Sequence, residues 1–254
     1  WFVRGRYTHK QVDQAIEDTG SIAVSGSEAY VIGNPGEGLA CAVYTADGFP
    51  CVKAERKYDA VEIGLDKRFA NNWFLSASYT WSRLFGNYGG LASSDEGGRP
   101  SPNVNRNFDL PFEPWAMTGK PNNGLLSTDR PHVFKAYGGY DHNWSKSNTT
   151  SVSFFTTAQS GTPMTTRANF IASLAIIVYG RGDLGRSAAY YSTDLNIDHK
   201  YKFGRDNRIT IQPYVNILNL FDRKSETGVV ETITTSTVSN GTLLSGGCAP
   251  TTCV

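Results

Sequence analysis

Residues 58–83 read YDAVEIGLDKRFANNWFLSASYTWSR, two alternating segments joined at Ala70-Asn71-Asn72. In the first, Val61, Ile63, Leu65 and Phe69 share one side of an extended chain, opposite Glu62, Gly64, Asp66 and Arg68. In the second, Trp73, Leu75, Ala77, Tyr79 and Trp81 face one way, and Ser76, Ser78, Thr80 and Ser82 the other. Successive side chains of a strand point to opposite faces, so the pattern predicts a β-hairpin with one apolar and one wet face. A soluble sandwich has the same alternation; the position of the aromatic residues separates the two. Trp73 and Trp81 lie eight residues apart on the apolar face, ~27 Å along a strand. A strand tilt of ~40° reduces that to roughly 21 Å, near the ~25 Å apolar band of an outer-membrane barrel. Indole rings favour both edges of such a band, being apolar with a single N–H donor. Trp73, Tyr79 and Trp81 are therefore expected to face the membrane.

The same reading extends along the chain. Strands are expected near residues 2–10, 58–69, 73–83, 132–144, 149–157, 190–203 and 208–219, antiparallel and adjacent in chain order. Tyr191, Leu195, Ile197, Tyr201 and Phe203 alternate with Ser192, Asp194, Asn196, Asp198, Lys200 and Lys202. Ile209, Ile211, Val215 and Ile217 mark one side of the last strand, and Phe134, Ala136 and Tyr140 one side of the 132–144 strand. Leu75, Leu195, Ile197, Ile211 and Val215 join Trp73, Tyr79 and Trp81 as residues expected against lipid. Short turns at 70–72, 145–148 and 204–207 alternate with long segments at 11–57, 84–130, 158–189 and 222–254. Compact soluble domains rarely carry several loops beyond ~15 residues, whereas outer-membrane barrels have short periplasmic turns and long external loops. The expected fold is all-β, an antiparallel transmembrane β-barrel. About seven strands do not make a bacterial barrel, which closes with an even number of eight or more. Residues 1–254 are thus expected to be a fragment of one larger barrel domain.

Composition agrees. The 254 residues carry a formal charge of +1, which gives no electrostatic basis for nucleic-acid binding. The longest apolar run, Ile171 to Tyr179, is too short for a membrane helix. The chain opens at Trp1, without a methionine or a signal peptide, and Trp1 is expected to be an internal position of a longer protein. Four cysteines form two close pairs, Cys41/Cys51 and Cys248/Cys253, both in long segments. Neither pair has metal-ligand spacing, and disulfides in an oxidising compartment are expected. Local pairing within each pair is favoured by the short spacers AVYTADGFP and APTT, with Gly48-Phe49-Pro50 as a turn, although four cysteines allow three connectivities. His9, His132, His142 and His199 are scattered over separate strands, so no metal site is expected. No G-x-S-x-G elbow or phosphate-binding loop occurs; no catalytic residue and no cofactor are expected. Arg181-Gly182-Asp183 is a tripeptide that recurs by chance, so an adhesive reading is discounted, and Asp129-Arg130-Pro131-His132 is read as a loop-to-strand junction in which Asp129 pairs with Arg130 or a neighbouring loop.

The chain resembles the C-terminal half of the barrel in Oar-like TonB-dependent outer-membrane receptors. The matching stretches are GRYTHKQVDQAIED (5–18), YDAVEIGLDKRFANNWFLSASYTWSR (58–83), TDRPHVFKAYGGY (128–140), SGTP (160–163), GRGDLGR (180–186), STDLNIDHKYKFG (192–204) and VNILNLFD (215–222). The resemblance implies a barrel of about 22 strands around an internal plug, energised by the TonB complex through N-terminal regions that this sequence does not contain. It places the loops outside the cell and the strands in outer-membrane lipid, with an unidentified external ligand. The mixed charges of Glu62, Asp66, Arg68, Asp194, Asp198, Lys200 and Lys202 suit a plugged lumen. Two functions follow as expectations: uptake through the long loops, or a structural or adhesive role in which those loops make contacts between molecules. Ordered loops must pack on something, whether plug, one another or a neighbouring copy.

Overall fold

The computed structural model describes residues 1–21, 29–90, 108–169, 175–226 and 231, with backbone alone at 29, 169 and 175. Its frame is one antiparallel sheet of long strands: β1 (Phe2–Val12), β4 (Arg56–Ala70), β5 (Trp73–Gly86), β7 (His132–Asn143), β8 (Asn148–Gln159) and β11 (Tyr190–Phe203). They are neighbours in that order, and the far edge is β12 (Ile209–Ile211) with β13 (Tyr214–Ile217), both on β11. Among the described residues the sheet is open, with β1 and β12/β13 at its two edges. The expected strands are all present, within a few residues at their ends.

Register carries the alternation from strand to strand, because directly paired residues share a face. Val3 pairs Leu65, Leu65 pairs Ala77, and Ala77 pairs Ala136. Tyr79 pairs Phe134, Val152 pairs Tyr140 and Ile197, and Ile197 pairs Val215. One face of the sheet is therefore apolar from edge to edge. The turn after β4 is Asn71-Asn72 with φ of +54° and +67°, the two-residue hairpin geometry in which Asn is favoured.

Two details differ from the sequence expectation. The first is a β-bulge between Lys67 and Ala70. The extra residue reverses the alternation, so Phe69 lies not with Val61, Ile63 and Leu65 but beside Phe74, ring centroids 6.5 Å apart, on the opposite face from Trp73. Lys67 takes the apolar side, its Nζ 3.9 Å from the Trp73 ring and donating to the carbonyls of Ala70 and Trp73. The second is that the last strand breaks at Gln212-Pro213 and ends at Ile217. Proline has no ladder N–H to give, yet its carbonyl accepts from His199 N at 3.0 Å and the register on both sides is unchanged.

The chain's packed core is not in the sheet. It lies in the long segments, which form a loop cap beyond the end of the strands remote from the short turns. The cap contains the hairpin β2 (Glu17–Ser21) and β3 (Ala29–Gly33), the helix α1 (Gly38–Ala46), the two-residue strand β6 (Gly124–Leu125), and the hairpin β9 (Arg167–Asn169) and β10 (Ala175–Ile177). Tyr44, Phe108, Leu110 and Phe112 are at most 1 % exposed and pack with Phe49, Val52, Tyr88, Met117, Ile176 and Val178. The expectation that ordered loops must pack on something is met by loop packing on loop. α1 ends where Gly48, φ +81°, lets Gly48 N reach Thr45 O and Phe49 N reach Tyr44 O, the Schellman arrangement. Cys41 and Cys51 form a disulfide, Cα atoms 5.2 Å apart, which ties α1 to the segment after this turn. Cys248 and Cys253 lie outside the described residues.

Candidate functional site

Three surfaces have the chemistry to meet a partner: the two faces of the sheet and the cap. On the apolar face Trp73, Tyr79 and Trp81 lie on β5 as alternate residues. Near the short turns Trp73 packs edge-on against Trp1 at 5.6 Å and pairs in register with Tyr140. Near the cap Trp81 pairs with His132, and the Tyr79 hydroxyl lies 2.7 Å from His132 Nδ1. One strand pair over, Tyr7 donates to Asp59 at 2.8 Å and His9 Nδ1 is 2.7 Å from the same oxygen. Between these two polar-tipped bands the face is Val61, Ile63, Leu65, Ala77, Ala136, Val152, Phe154, Leu195 and Ile197. Large side chains there are open in the chain itself, Ile63 at 55 % and Val215 at 59 %. Isolated exposed apolar residues are ordinary, but a continuous apolar face of this extent requires a covering medium.

The other face is polar and carries both signs. Arg4 pairs with Asp66 at 2.6 Å and Arg6 with Glu62 at 2.9 Å. Ser76 donates to Asp66, Gln212 to Asp198 at 2.7 Å, and Asn219 N to Asp194 at 2.8 Å. A shallow recess of about 280 Å³ between Arg6, Lys10, Tyr58, Glu62 and Thr80 opens on this face. Exposed pairs of this kind add little stability, ~0–1 kcal/mol each, so their value lies in matching a second polar surface. Near the short turns the polarity is interrupted by Phe69, Phe74 and Tyr137, with Phe74 and Tyr137 centroids 6.3 Å apart. The sequence reading missed this patch: Phe74 and Tyr137 reach this face by plain alternation, and the bulge adds Phe69 to them.

The cap is joined to the sheet by motifs that are far apart in the chain. Asp129, buried, accepts from Leu84 N at 2.6 Å and is ion-paired with Arg186. Arg186 also donates to the carbonyls of Asp129 and Gly161, at 3.0 and 3.1 Å. Of the two partners the sequence left open for Asp129, the neighbouring loop is the one observed. Arg130 instead donates to Ser160 O at 2.8 Å. Gly161 has no room for a side chain, since a Cβ would fall 1.8 Å from Ser187 O. Arg181 donates to Asn122 O and Asn87 O, Gly182 N to Thr165, and Asp183 accepts from Thr166 N at 2.8 Å. Each residue of Arg181-Gly182-Asp183 is thus engaged within the cap. TDRPH, SGTP and GRGDLGR form one joint.

The four histidines are held singly: His9 by Asp59, His132 by Tyr79, His199 by Thr150 at 2.9 Å, and His142 against Trp144, ring centroids 4.2 Å apart. Among the described residues no three His, Cys, Asp or Glu side chains converge as a metal site. No helix among them is long and apolar enough to cross a membrane, which says nothing of strands.

An antiparallel sheet, apolar on one face and polar on the other, with tight turns at one end and packed loops at the other, defines a wall segment of an outer-membrane-type β-barrel. The chain belongs to the outer membrane beta barrel domain family, whose model matches residues 50–221. It is similar to the TonB-dependent transporter Oar of Myxococcus xanthus, 34 % identical over 230 residues that cover 90 % of this chain and 20 % of that protein. The chain therefore spans about a fifth of the length of the curated relative it matches. No solved structure matches it. Family and likeness together give an Oar-like barrel of the outer membrane and place the chain outside the enzyme families.

Proposed function

We propose that residues 1–254 form part of the wall and external cap of a TonB-dependent transporter, and that the cap meets an external ligand. The observation that carries this reading is the pairing of the two faces with the cap. An apolar face crossing the whole sheet suits lipid, with Trp73, Tyr79 and Trp81 towards the bilayer and the aromatic bands at its two interfaces. The polar face, lined by exposed ion pairs, suits an internal domain supplied by other parts of the protein. The cap, packed through its own core and pinned by the Asp129–Arg186 joint and the Cys41–Cys51 disulfide, presents a preformed surface on the extracellular side. Preorganisation of that kind lowers the ordering cost of binding. Energy would reach the barrel through TonB contacts made by N-terminal regions outside this chain, as the likeness to Oar suggests.

The test is depletion of compounds and peptides from growth medium by cells with the full-length protein, cells without it, and cells without TonB. A substance removed only when both proteins are present supports transport. Equal removal by all three, together with cell–cell contact that fails only when the full-length protein is lost, would favour an adhesive or structural role for the same cap.

A further inference from the structure

Among the described residues, the cap core buries an acid with an unpaired oxygen. Glu17 of β2 is 6 % exposed, and its Oε1 has no hydrogen-bond partner. The hydroxyl of Tyr88 bonds to the carboxyl group, and no cation lies within ion-pair distance of it among the described residues. Two positions along, the hydroxyl of Thr19, fully buried, is also without a partner. Four segments enclose this point. The β2–β3 hairpin contributes Glu17 and Asp18, and α1 contributes Tyr44, whose hydroxyl donates to Phe108 O. The segment after β5 contributes Tyr88, with Arg56 of β4 near Tyr88, and the stretch 108–113 contributes Asp109 and Glu113. Among the described residues, the charges that act on Glu17 are the carboxylates of Asp109 and Asp18.

We infer that Glu17 is a proton-operated latch of the cap: as the neutral acid it lets the hairpin, α1 and the 87–90 and 108–113 segments stay closed, and loss of its proton favours their separation. A buried carboxylate with one unpaired oxygen and acidic neighbours is costly, and the alternative is to open and hydrate it. Burial, reinforced by Asp109 and Asp18 and opposed by the Tyr88 hydrogen bond, pushes the Glu17 carboxyl from 4.5 up to about 7. In the opened cap the group returns towards 4.5. Between those two values the closed form binds more protons than the open one, so closure weakens as pH rises through the window and levels off above about 7. From pH 5 to pH 8 the opening equilibrium should grow roughly 10- to 100-fold. The latch concerns the cap alone and does not depend on what the barrel carries.

Hydrogen–deuterium exchange of the full-length protein in lipid bilayers, with labelling times scaled for the intrinsic pH dependence, reads this opening. Cap peptides within 14–20, 38–49 and 108–117 should exchange faster, relative to their intrinsic rates, at pH 8 than at pH 5, while β5 and β8 do not change. Glu17→Gln should leave the cap closed and its protection flat with pH. Tyr88→Phe removes the hydrogen bond that favours the charged form and should move the midpoint to higher pH. The same pH dependence in Glu17→Gln as in the parent protein overturns the latch. If Glu17→Gln does not fold, a Tyr88→Phe midpoint that is unchanged or lower overturns it instead.

Discussion

The sheet and the cap obey opposite rules although one chain alternates between them six times. In the sheet the large apolar side chains are the open ones: Ile63, Phe134, Ile197, Ile211 and Val215 are all more than a third exposed. In the cap they are the closed ones, with Tyr44, Phe108, Leu110, Phe112 and Ile176 at 1 % or less. On the proposed placement, each region is built for a different solvent. The sheet satisfies its backbone through its ladders and leaves its apolar face for a medium that needs no hydrogen bonds. A cap that meets water, as proposed, must make its own interior and satisfy its irregular backbone with side chains, as Asn87, Asp129 and Arg186 do. The helix, the Schellman turn and the disulfide belong to the cap for the same reason: a small water-facing unit has little core and gains from local clips.

The contrast should be sharpest for core truncation. Phe108→Ala should cost the cap ~3–5 kcal/mol, whereas Val152→Ala on the sheet should cost far less, because lipid can fill the space. Cap-peptide exchange and resistance of the barrel to heat in detergent would read the two separately. A comparable cost for Val152→Ala would show that the sheet has a packed interior of its own. Next in size, Leu65→Arg on the apolar face should cost ~2–4 kcal/mol in a bilayer, and Ser78→Arg on the other face should stay within about 0.5 kcal/mol unless it strikes an inner partner. Denaturant titrations in vesicles would compare them, and equal costs would remove the distinction between the faces. Smaller again, replacing Cys41 and Cys51 by Ser should loosen the cap by about 3 kcal/mol at most, from the loop-closure entropy of a short ring, and should leave the sheet unchanged. Loss of barrel assembly in that variant would mean that cap and sheet fold as one unit.

The two regions were also unequally legible. Strands of β4, β5 and β11 announce themselves through a period of two, and register then follows from keeping one face apolar. The sequence pattern could not show that the bulge at Lys67–Ala70 reverses Phe69, since nothing in RFA marks an extra residue. Pro213 did carry a signal for a break in the last strand. The cap was read only as polar and Gly-rich. α1 is nine residues long and lacks a side-chain N-cap, so its strongest mark was Asp47-Gly48-Phe49, a helix stop that could also be a simple turn. The Cys41–Cys51 pairing was legible because its ring is short. The Asp129–Arg186 joint was legible only as an acid in need of a partner, because its two halves are 57 residues apart and no local pattern connects them. The burial of Glu17 was hidden for the same reason: β2 alternates too briefly to distinguish its inner side from its outer one.

The most direct test of the two-solvent account is a nitroxide placed singly at each position from 75 to 81 in the full-length protein in bilayers. The account predicts that collision with oxygen, which concentrates in lipid, is high at 75, 77, 79 and 81 and low at 76, 78 and 80, and that a water-soluble nickel chelate does not reach the odd positions 75 to 79. Chelate access at positions 75, 77 and 79, or the absence of a two-residue period, would contradict it.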